Sequence, residues 1–459
     1  MQRRQVLKIG ALGAGTAGLA ALGYRFLPPA PSKELASVQS LTVQLYDSLD
    51  SEQRDALMVE YDHPFRQYHN RGVWGGGQLL ATAGFSRQQL SLATDLMYAG
   101  LSEAGRSILP NQFFLKLPDV LATNLLVCGD PYSDQCQALF TGPHLNLRVG
   151  GKNTEGVAFG GPQVYGDQRG DAKGGLPGNN YLPQLRIATE LFDSLPAELQ
   201  QQAVLANSPI QTQIELQGRN GEFHGVPVAE LDQDARAKVN EFIKQVFLAY
   251  PSADVAYAWE CLGANGGPDA LYLSYYQDST YPDSSLYQNI RLEGPAAVFY
   301  FRGHPHVHAF FNVAMDGDTP LSVGEKLGYN PEVLEGEKLK AVFEQAMQAN
   351  GKTDFTYYDL DSAVGKLRAG DIRTGDIYNA ESWQNEVVYL KVRGKELGGE
   401  LATQLEQRGT SIDPAREYRI ATTDYVANNL LEKSIGVGSK QETGGMLRDQ
   451  LIDHFSVML

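Results

Sequence analysis

The sequence predicts an α+β fold, in which a first domain packs helices on an antiparallel sheet and a smaller tail domain is α/β. Three observations support this prediction. Apolar residues at helical spacing recur before about residue 250, a series of short strands follows, and the sequence becomes polar and turn-rich from about residue 318. The strands are joined by short connections, and this favours antiparallel pairing because parallel strands need long crossovers.

The helices are predicted from leucine spacing and from capping residues. Leucines recur on roughly one face of a helix over 38–60. Ser86, followed three residues later by Gln89, has the pattern of a capping box and predicts the start of a second helix that ends near Gly105. Further helices are predicted at about 182–206, where there are two, and at about 229–249.

The strands are predicted from alternation and from turn signals. The stretch "HLNLRVGG" alternates with a period of two, which is typical of a strand. Turn residues such as "NGGPD" and "EGP" separate the later strands. In the first domain these strands are predicted at 253–261, 270–277, 286–293, 296–302 and 306–313. The tail is predicted to contain a helix at 333–350, strands at 354–360 and 386–393, a helix at 394–408 and a strand at 416–423.

The N-terminal segment predicts export. "MQRRQVLKIGALGAGTAGLAALG" has a basic start, a small apolar run and no acidic residue, and the pair Arg3-Arg4 resembles a twin-arginine signal. An ordinary secretory signal or an uncleaved anchor is the alternative. We expect a periplasmic or otherwise exported protein that meets the twin-arginine export machinery. No other apolar run approaches the ~20 residues that span a bilayer, so no further membrane association is expected.

The chain is predicted to have four segments. They are a signal segment at 1–32, a His-rich domain at 33–318, a linker at 319–339 and a tail domain at 340–459. The net charge of −16 argues against nucleic-acid binding, because an acidic surface repels phosphate backbones. In an oxidising compartment, Cys128 and Cys136 flank a loop that a disulfide could close, and this pairing stays open.

A cluster of histidines predicts a metal site. "GHPHVHAFF" places His304, His306 and His308 at alternate positions, and alternate side chains of a strand share one face. Pro305 fits only a strand edge, start or bulge, so His306 and His308 are the more reliable pair.

The third ligand of such a site has to come from elsewhere in the chain. His144 on the other alternating strand is the first choice, and His69 is the next. Three imidazoles with an open position would suit one divalent transition metal, with zinc favoured and copper or iron compatible. The alternative is a hydrogen-bonded polar strand, or a binding pocket, without a metal.

Two further polar positions are candidates for catalysis. Arg66 would recognise an anion or a carboxylate, with His69 as an acid–base group or ligand. Glu260 would act as a general base or a ligand at the end of a predicted strand. The alternatives are a surface loop held by a pair between Asp62 and Arg66, and a solvated carboxylate at Glu260.

The first region, about 36–316, resembles the exported bacterial family catalogued as domain-of-unknown-function family 3500. The resemblance rests on "DHPFRQYHN", "GLSEAG", "GPHLNLRV", "RLEGPAAVFYF" and "HVHAFFNVAMD". Pro143 replaces the first histidine of the family's G-H-H pair, and Tyr68 replaces a tryptophan. The family name implies no reaction, but its motifs coincide with the histidines.

The tail, about 340–459, resembles the C-terminal domain of 5′-nucleotidases. "AGDIRTGDIYNAESWQNEVVYLKVRGKEL" and "IDPAREYRIATTDYVANN" carry this resemblance. The family's substrate-binding arginine motif falls at about 361–364, where this chain has "DSAV". The resemblance therefore implies a degenerate scaffold and, weakly, a phosphoester substrate.

Together these features predict an exported metal-dependent hydrolase acting on a small anionic substrate, with water activated by the metal as the nucleophile. Two alternatives remain: a copper or iron redox protein that uses the same histidines, and a non-catalytic periplasmic binding protein.

Overall fold

The computed structural model describes residues 30–67, 76–109, 119–142, 144–151, 156–167, 180–206, 208–209, 214–276, 289–303, 306–317, 324–349, 353–363, 365–437 and 441–456. The chain divides into two compact units, whose described parts are 30–317 and 324–456. Residues 1–29 of the predicted export signal lie outside the described residues. Among the helices that are described, none is long and apolar enough to cross a membrane.

The first unit is an α+β structure, as predicted. Its helices are α1 Val38–Ser48, α2 Ser51–Leu57, α3 Arg87–Ala99, α4 Glu103–Ile108, α5 Leu182–Ser194, α6 Ala197–Ala203, α7 Gln233–Phe247 and α8 Ser252–Ala264. Its strands are β1 Met58–Val59, β2 Gln78–Leu79, β3 Asn124–Gly129, β4 Cys136–Gly142, β5 Leu145–Gly150, β6 Gln163–Asp167, β7 Val204–Leu205, β8 Val226–Pro227, β9 Tyr272–Tyr276, β10 Asn289–Gly294, β11 Ala297–Arg302 and β12 Val307–Val313.

These strands form one large sheet. Its order is β1-β3-β4-β5-β6-β12-β11-β10-β9-β7, with β2 beside β3 and β8 beside β9. The predicted antiparallel meander is confirmed for β9 to β12, and β3 to β6 continue the antiparallel pairing. The short pairs β1–β3 and β7–β9 are parallel. β12 thus lies in the interior of the sheet, between β6 and β11.

One face of the sheet carries the main apolar core. Leu147 of β5, with Ala309 and Phe311 of β12, points toward the helices and is buried there. The Phe311 ring lies 5.6 Å from that of Phe247 in α7 and 5.4 Å from that of Phe159. Burial of each such ring stabilises the fold by roughly 1.5–3 kcal/mol. This packing determines which side chains of β5 and β12 face the other way.

The opposite face of the sheet carries buried polar side chains beside two smaller apolar clusters. Asn146 and Arg148 of β5 and Asn312 of β12 alternate with the apolar residues of their strands and are at most 4% exposed. Buried polar side chains are costly unless they are hydrogen-bonded. A polar interior face is therefore the part of this unit where a binding site is expected.

Several predicted elements differ from the structure. Residues 253–261 are part of helix α8, not a strand. The stretch alternates superficially, but its buried residues Ala258, Cys261 and Leu262 have helical spacing, and alanines favour a helix. The predicted helix 38–60 is two helices, because Asp50 accepts a hydrogen bond from the Gln53 amide in a capping box. The capping box between Ser86 and Gln89 at the start of α3 is confirmed.

The disulfide that the sequence left open is not formed: Cys128 and Cys136 are both free. In the β3–β4 ladder Cys128 lies opposite Gln137, and Cys136 lies opposite Gly129. This offset of one residue turns the two side chains to opposite faces of the sheet. A disulfide cannot form without a change of register.

The second unit is smaller and mixed. Its strands are β13 Lys326–Asn330, β14 Leu334–Glu335, β15 Phe355–Thr356, β16 Lys366–Leu367, β17 Gly370–Arg373, β18 Glu386–Arg393, β19 Glu417–Thr423 and β20 Gln441–Met446. Its helices are α9 Gly336–Ala349, α10 Thr374–Ala380, α11 Gly399–Gln407, α12 Leu431–Ser434 and α13 Leu447–Ser456. The main sheet has the order β15-β19-β18-β20.

Three tail predictions differ from the structure. The predicted linker at 319–339 holds β13, β14 and the start of α9, so its described residues belong to the second unit. Its polar composition reflects short edge strands with exposed side chains. Of the predicted strand at 354–360, only β15, Phe355–Thr356, is a strand. The helix predicted from residue 394 begins at Gly399.

A buried carboxyl group makes the stability of the second unit depend on pH. Glu381 is fully buried near Arg448, and burial, which outweighs the nearby guanidinium, raises the pKa of Glu381 to about 7. Because this pKa lies above the unfolded value of 4.5, the folded state holds the proton more tightly. The stabilisation of the folded state by protonated Glu381 is complete below about pH 4.5 and is lost as the pH rises through about 7.

We expect Glu381→Gln to remove this pH dependence, since an amide does not ionise. The variant should gain stability on the order of 2 kcal/mol relative to the wild type at pH 8 and little at pH 4.5. Calorimetric melting of the full chain across this pH range measures the difference. Glu396→Gln, at an exposed position, is the matched control and should follow the wild type. If the melting temperatures of Glu381→Gln and the wild type change in parallel with pH, the pH dependence does not come from Glu381.

Candidate metal centre

Three histidines from two distant segments meet on the polar face of the sheet. His144 immediately precedes β5, His306 immediately precedes β12, and His308 lies in β12. β5 and β12 are not neighbours, because β6 lies between them. The registers place His308 opposite Gly166 of β6 and Leu145 opposite Tyr165, so His144, Gly166 and His308 form one row across the three strands.

Gly166 is what allows the imidazoles to meet across β6. A Cβ atom at this position would lie 3.0 Å from both Cβ and Cδ2 of His144 and 2.4 Å from the carbonyl oxygen of Val307. Separations under about 3.0 Å force a backbone or side-chain shift, so the row has no room for a side chain on β6. Glycine is therefore required by the close approach of the rings, not by its own backbone angles.

The three rings converge through their Nε2 atoms. His306 Nε2 lies 3.0 Å from His144 Nε2 and 2.7 Å from His308 Nε2. The ring centroids are 4.4–4.9 Å apart. One nitrogen from each ring lies within 4.8 Å of the others, which is the arrangement of a potential metal site.

The environment keeps two of the three imidazoles neutral. His144 is buried, and its pKa is lowered to about 3, first by burial and then by His306 and Arg302. The pKa of His308 is lowered well below its ordinary value, again first by burial and then by Arg302 and the other two rings. Metal ions bind the neutral form of histidine, so these side chains are available as ligands at neutral pH.

His144 adopts an uncommon backbone conformation. Its φ angle is 63°, in the left-handed region that few residues other than glycine occupy. It lies between Gly142 and Leu145, which pair with one another in the β4–β5 hairpin. A residue in this region costs about 1–2 kcal/mol, and such strain concentrates at functional positions.

The geometry fits a metal ion with small adjustments. Tetrahedral coordination with bonds of 2.0–2.1 Å needs ligand nitrogens about 3.3–3.4 Å apart. The observed separations of 3.0 and 2.7 Å are shorter by about 0.3–0.7 Å, so the rings must move apart by this much to bind a metal in tetrahedral geometry. The donor set consists of nitrogens, which suits zinc, copper or iron better than magnesium or calcium.

Of the other predicted site residues, only Arg66 and Glu260 lie in the described part of the chain, and neither is among the three converging histidines. Arg66 is buried, its Nε donates a 2.6 Å hydrogen bond to the Tyr61 carbonyl oxygen, and its own carbonyl oxygen accepts a 2.9 Å hydrogen bond from Arg148 Nε. Glu260 lies on α8, whose buried residues pack into the core on the helix-covered face, away from the histidines. His69 and His304 lie outside the described residues.

Two residues of the site are missing from the sequence-based prediction. Arg302, the last residue of β11, lies directly opposite His308, and its Nη2 is 3.1 Å from His308 Nδ1. Gly166 is the second. The sequence predicts the adjacent strands at 296–302 and 306–313, but the register that pairs Arg302 with His308 depends on the turn between them.

The fold and the site together define a class: an α+β protein with a histidine triad on the polar face of a mostly antiparallel sheet. Within that class, this chain belongs to the family described as "Protein of unknown function (DUF3500)", which matches residues 32–318. The resemblance of the first region to that family is thereby confirmed. No curated protein matches the chain.

The solved structures that are similar to part of the chain include two proteins assigned as 5′-nucleotidases. The 5′-nucleotidase precursor from Thermus thermophilus is 14% identical, with 38% of this chain and 48% of that chain covered and a TM-score of 0.25. A Staphylococcus aureus protein assigned as a 5′-nucleotidase, in complex with alpha-ketoglutarate, is 10% identical, with 37% and 48% covered and a TM-score of 0.18. The chain spans about half the length of each of these proteins.

Proposed function

We propose that His144, His306 and His308 hold one divalent transition metal, with zinc favoured, and that the protein is a metal-dependent hydrolase of a small anionic substrate. The observation that carries this proposal is the convergence of three imidazoles from two separate segments on the polar face of the sheet. We further propose that the chain is exported by the twin-arginine route, as its N-terminal sequence predicts.

The chemistry of the proposed site follows from its ligands. A divalent metal, when bound, supplies Lewis acidity and lowers the pKa of water enough for hydrolysis near neutral pH. Three protein ligands leave a position open for substrate, which is typical of catalytic and not of structural zinc sites. His306 is only half-buried, so this open side can be reached from solvent.

A redox protein is the second candidate function. Imidazole nitrogens are also suitable ligands for copper and iron, and redox chemistry would use the same open position. The two candidates differ in the metal that the protein carries and in the reaction that depends on it.

Metal analysis of the exported full chain, purified without an affinity tag, tests the proposal. About one equivalent of zinc, together with phosphate-monoester or carboxylate-ester hydrolysis that chelation abolishes and zinc restores, would support the hydrolase. Copper or iron at that level would support the redox alternative. Less than about a tenth of an equivalent of any of these metals would contradict both, because a site that holds its metal tightly retains it through purification.

A further inference from the structure

The contact between Arg302 and His308 defines the position of one proton. Arg302 Nη2 lies 3.1 Å from His308 Nδ1, across the β11–β12 ladder. A guanidinium group only donates hydrogen bonds, so Nδ1 of His308 must accept. A neutral imidazole carries one proton, which therefore lies on Nε2 of His308. That nitrogen faces His306 Nε2 at 2.7 Å and donates to it.

This hydrogen bond conflicts with metal binding through the converging nitrogens. A metal at the centre of the triad needs the lone pair of His308 Nε2, which requires the ring proton to lie on Nδ1 instead. Nδ1–H would then face Arg302 Nη2, and two donors would lie at 3.1 Å. Histidines that bind metals usually donate this second N–H to a carboxylate or a carbonyl group.

The charge of Arg302 adds to the conflict. Its guanidinium contacts the ring of His308, which would bind the metal. The positive charges of the guanidinium and of a divalent metal at this distance repel each other even when they are partly screened. An anion bound beside the metal offsets this repulsion. Arginine also presents a planar pair of donors that matches the two oxygens of a phosphate or a carboxylate group. Arg302 is half-buried, so its guanidinium can be reached by a small ligand.

We propose that Arg302 is a positioning residue that couples metal binding to the binding of an oxyanion. Without metal, the guanidinium donates to His308. With metal, it turns to the oxyanion group of the substrate, and the His308 ring carries its proton on Nδ1. The ring loses the Nε2 proton to solvent and gains one at Nδ1, so the change of tautomer releases no net proton. This inference rests on the proposed metal centre and assigns anion recognition there to Arg302.

By thermodynamic reciprocity, the oxyanion then raises the affinity for the metal by the same factor as the metal raises the affinity for the oxyanion. Cobalt(II) is a suitable probe, because its visible spectrum reports ligand number and geometry without any turnover. Methylphosphonate and acetate are suitable oxyanions, and their separate effects distinguish a phosphoryl from a carboxylate substrate. All titrations use the full chain.

We expect methylphosphonate or acetate to tighten cobalt binding to the wild type by about 5- to 20-fold. Arg302→Gln should bind cobalt about 5- to 20-fold more tightly than the wild type without an anion, and the anion should change its affinity less than about 2-fold. Arg302→Lys, which keeps the charge and only donates, should bind cobalt no more tightly than the wild type. Arg236→Gln, on α7, is the matched control and should behave as the wild type.

The outcomes separate the two proposals. If the wild type binds cobalt and Arg302→Gln shows equal or weaker affinity, or keeps the full effect of the anion, then Arg302 does not couple the sites and the metal centre stands. If the wild type binds no cobalt with or without the anion, the metal centre and the coupling both fail. Should Arg302→Gln not fold, an unchanged cobalt affinity of the wild type with both anions overturns the coupling by itself.

Discussion

Replacing either His306 or His308 by alanine is expected to reduce the bound metal from about one equivalent to less than about a tenth. Each substitution removes one of three converging nitrogens, and His306 Nε2 is the atom that contacts both of the other rings. Loss of one ligand from a three-histidine site leaves two imidazoles, which hold a divalent ion far more weakly. His144→Ala is expected to have the same effect.

Metal content after dialysis measures this loss, and thermal melting shows whether each variant is folded. His224→Ala is the matched control, since His224 is exposed and outside the triad. It should keep the metal content of the wild type. Folded variants of His306 and His308 that retain a full equivalent would show that the ligands are assigned wrongly.

Replacing Gly166 by alanine is expected to damage both the site and the fold, although glycine has no side chain to bind a metal. The new methyl group would lie 3.0 Å from Cβ and Cδ2 of His144 and 2.4 Å from the Val307 carbonyl oxygen. Overpacking of this kind typically costs about 1–3 kcal/mol of stability. We also expect the metal affinity to fall at least about tenfold, because His144 must move away from the other two rings.

Denaturant unfolding and cobalt titration measure the two effects of Gly166→Ala separately. Gly263→Ala is the matched control, because Gly263 lies in helix α8, where a new Cβ would meet no heavy atom within 4 Å apart from its chain neighbours and the backbone of its own helix. That change should leave metal binding intact and stabilise the helix by up to about 1 kcal/mol. A Gly166→Ala variant that binds cobalt as tightly as the wild type would mean that the row across β6 tolerates a side chain.

Some sequence patterns in this chain specify their secondary structure, and others are compatible with more than one element. The β9 to β12 strands are predicted well because each is a short apolar run between turn residues, and the pairing of such runs follows from their short connections. Helix α8 is missed because its residues satisfy both a period of two and a helical period, and only packing against the core selects the helix. The offset between Cys128 and Cys136 similarly depends on register, which spacing alone does not reveal.

The sequence by itself determined the residue types of the site: a His-x-His pair at the start of a strand and a candidate partner at His144. It could not determine that these residues meet, because they lie 162 positions apart and on strands separated by β6. The tertiary structure decided this through the register that aligns Gly166 with His308. The tertiary structure also brings the Arg302 guanidinium into contact with the His308 ring. It leaves Glu260 on helix α8, on the helix-covered face of the sheet. Contacts across a sheet depend on register and on the space between strands, and both are set by the packing of the whole unit.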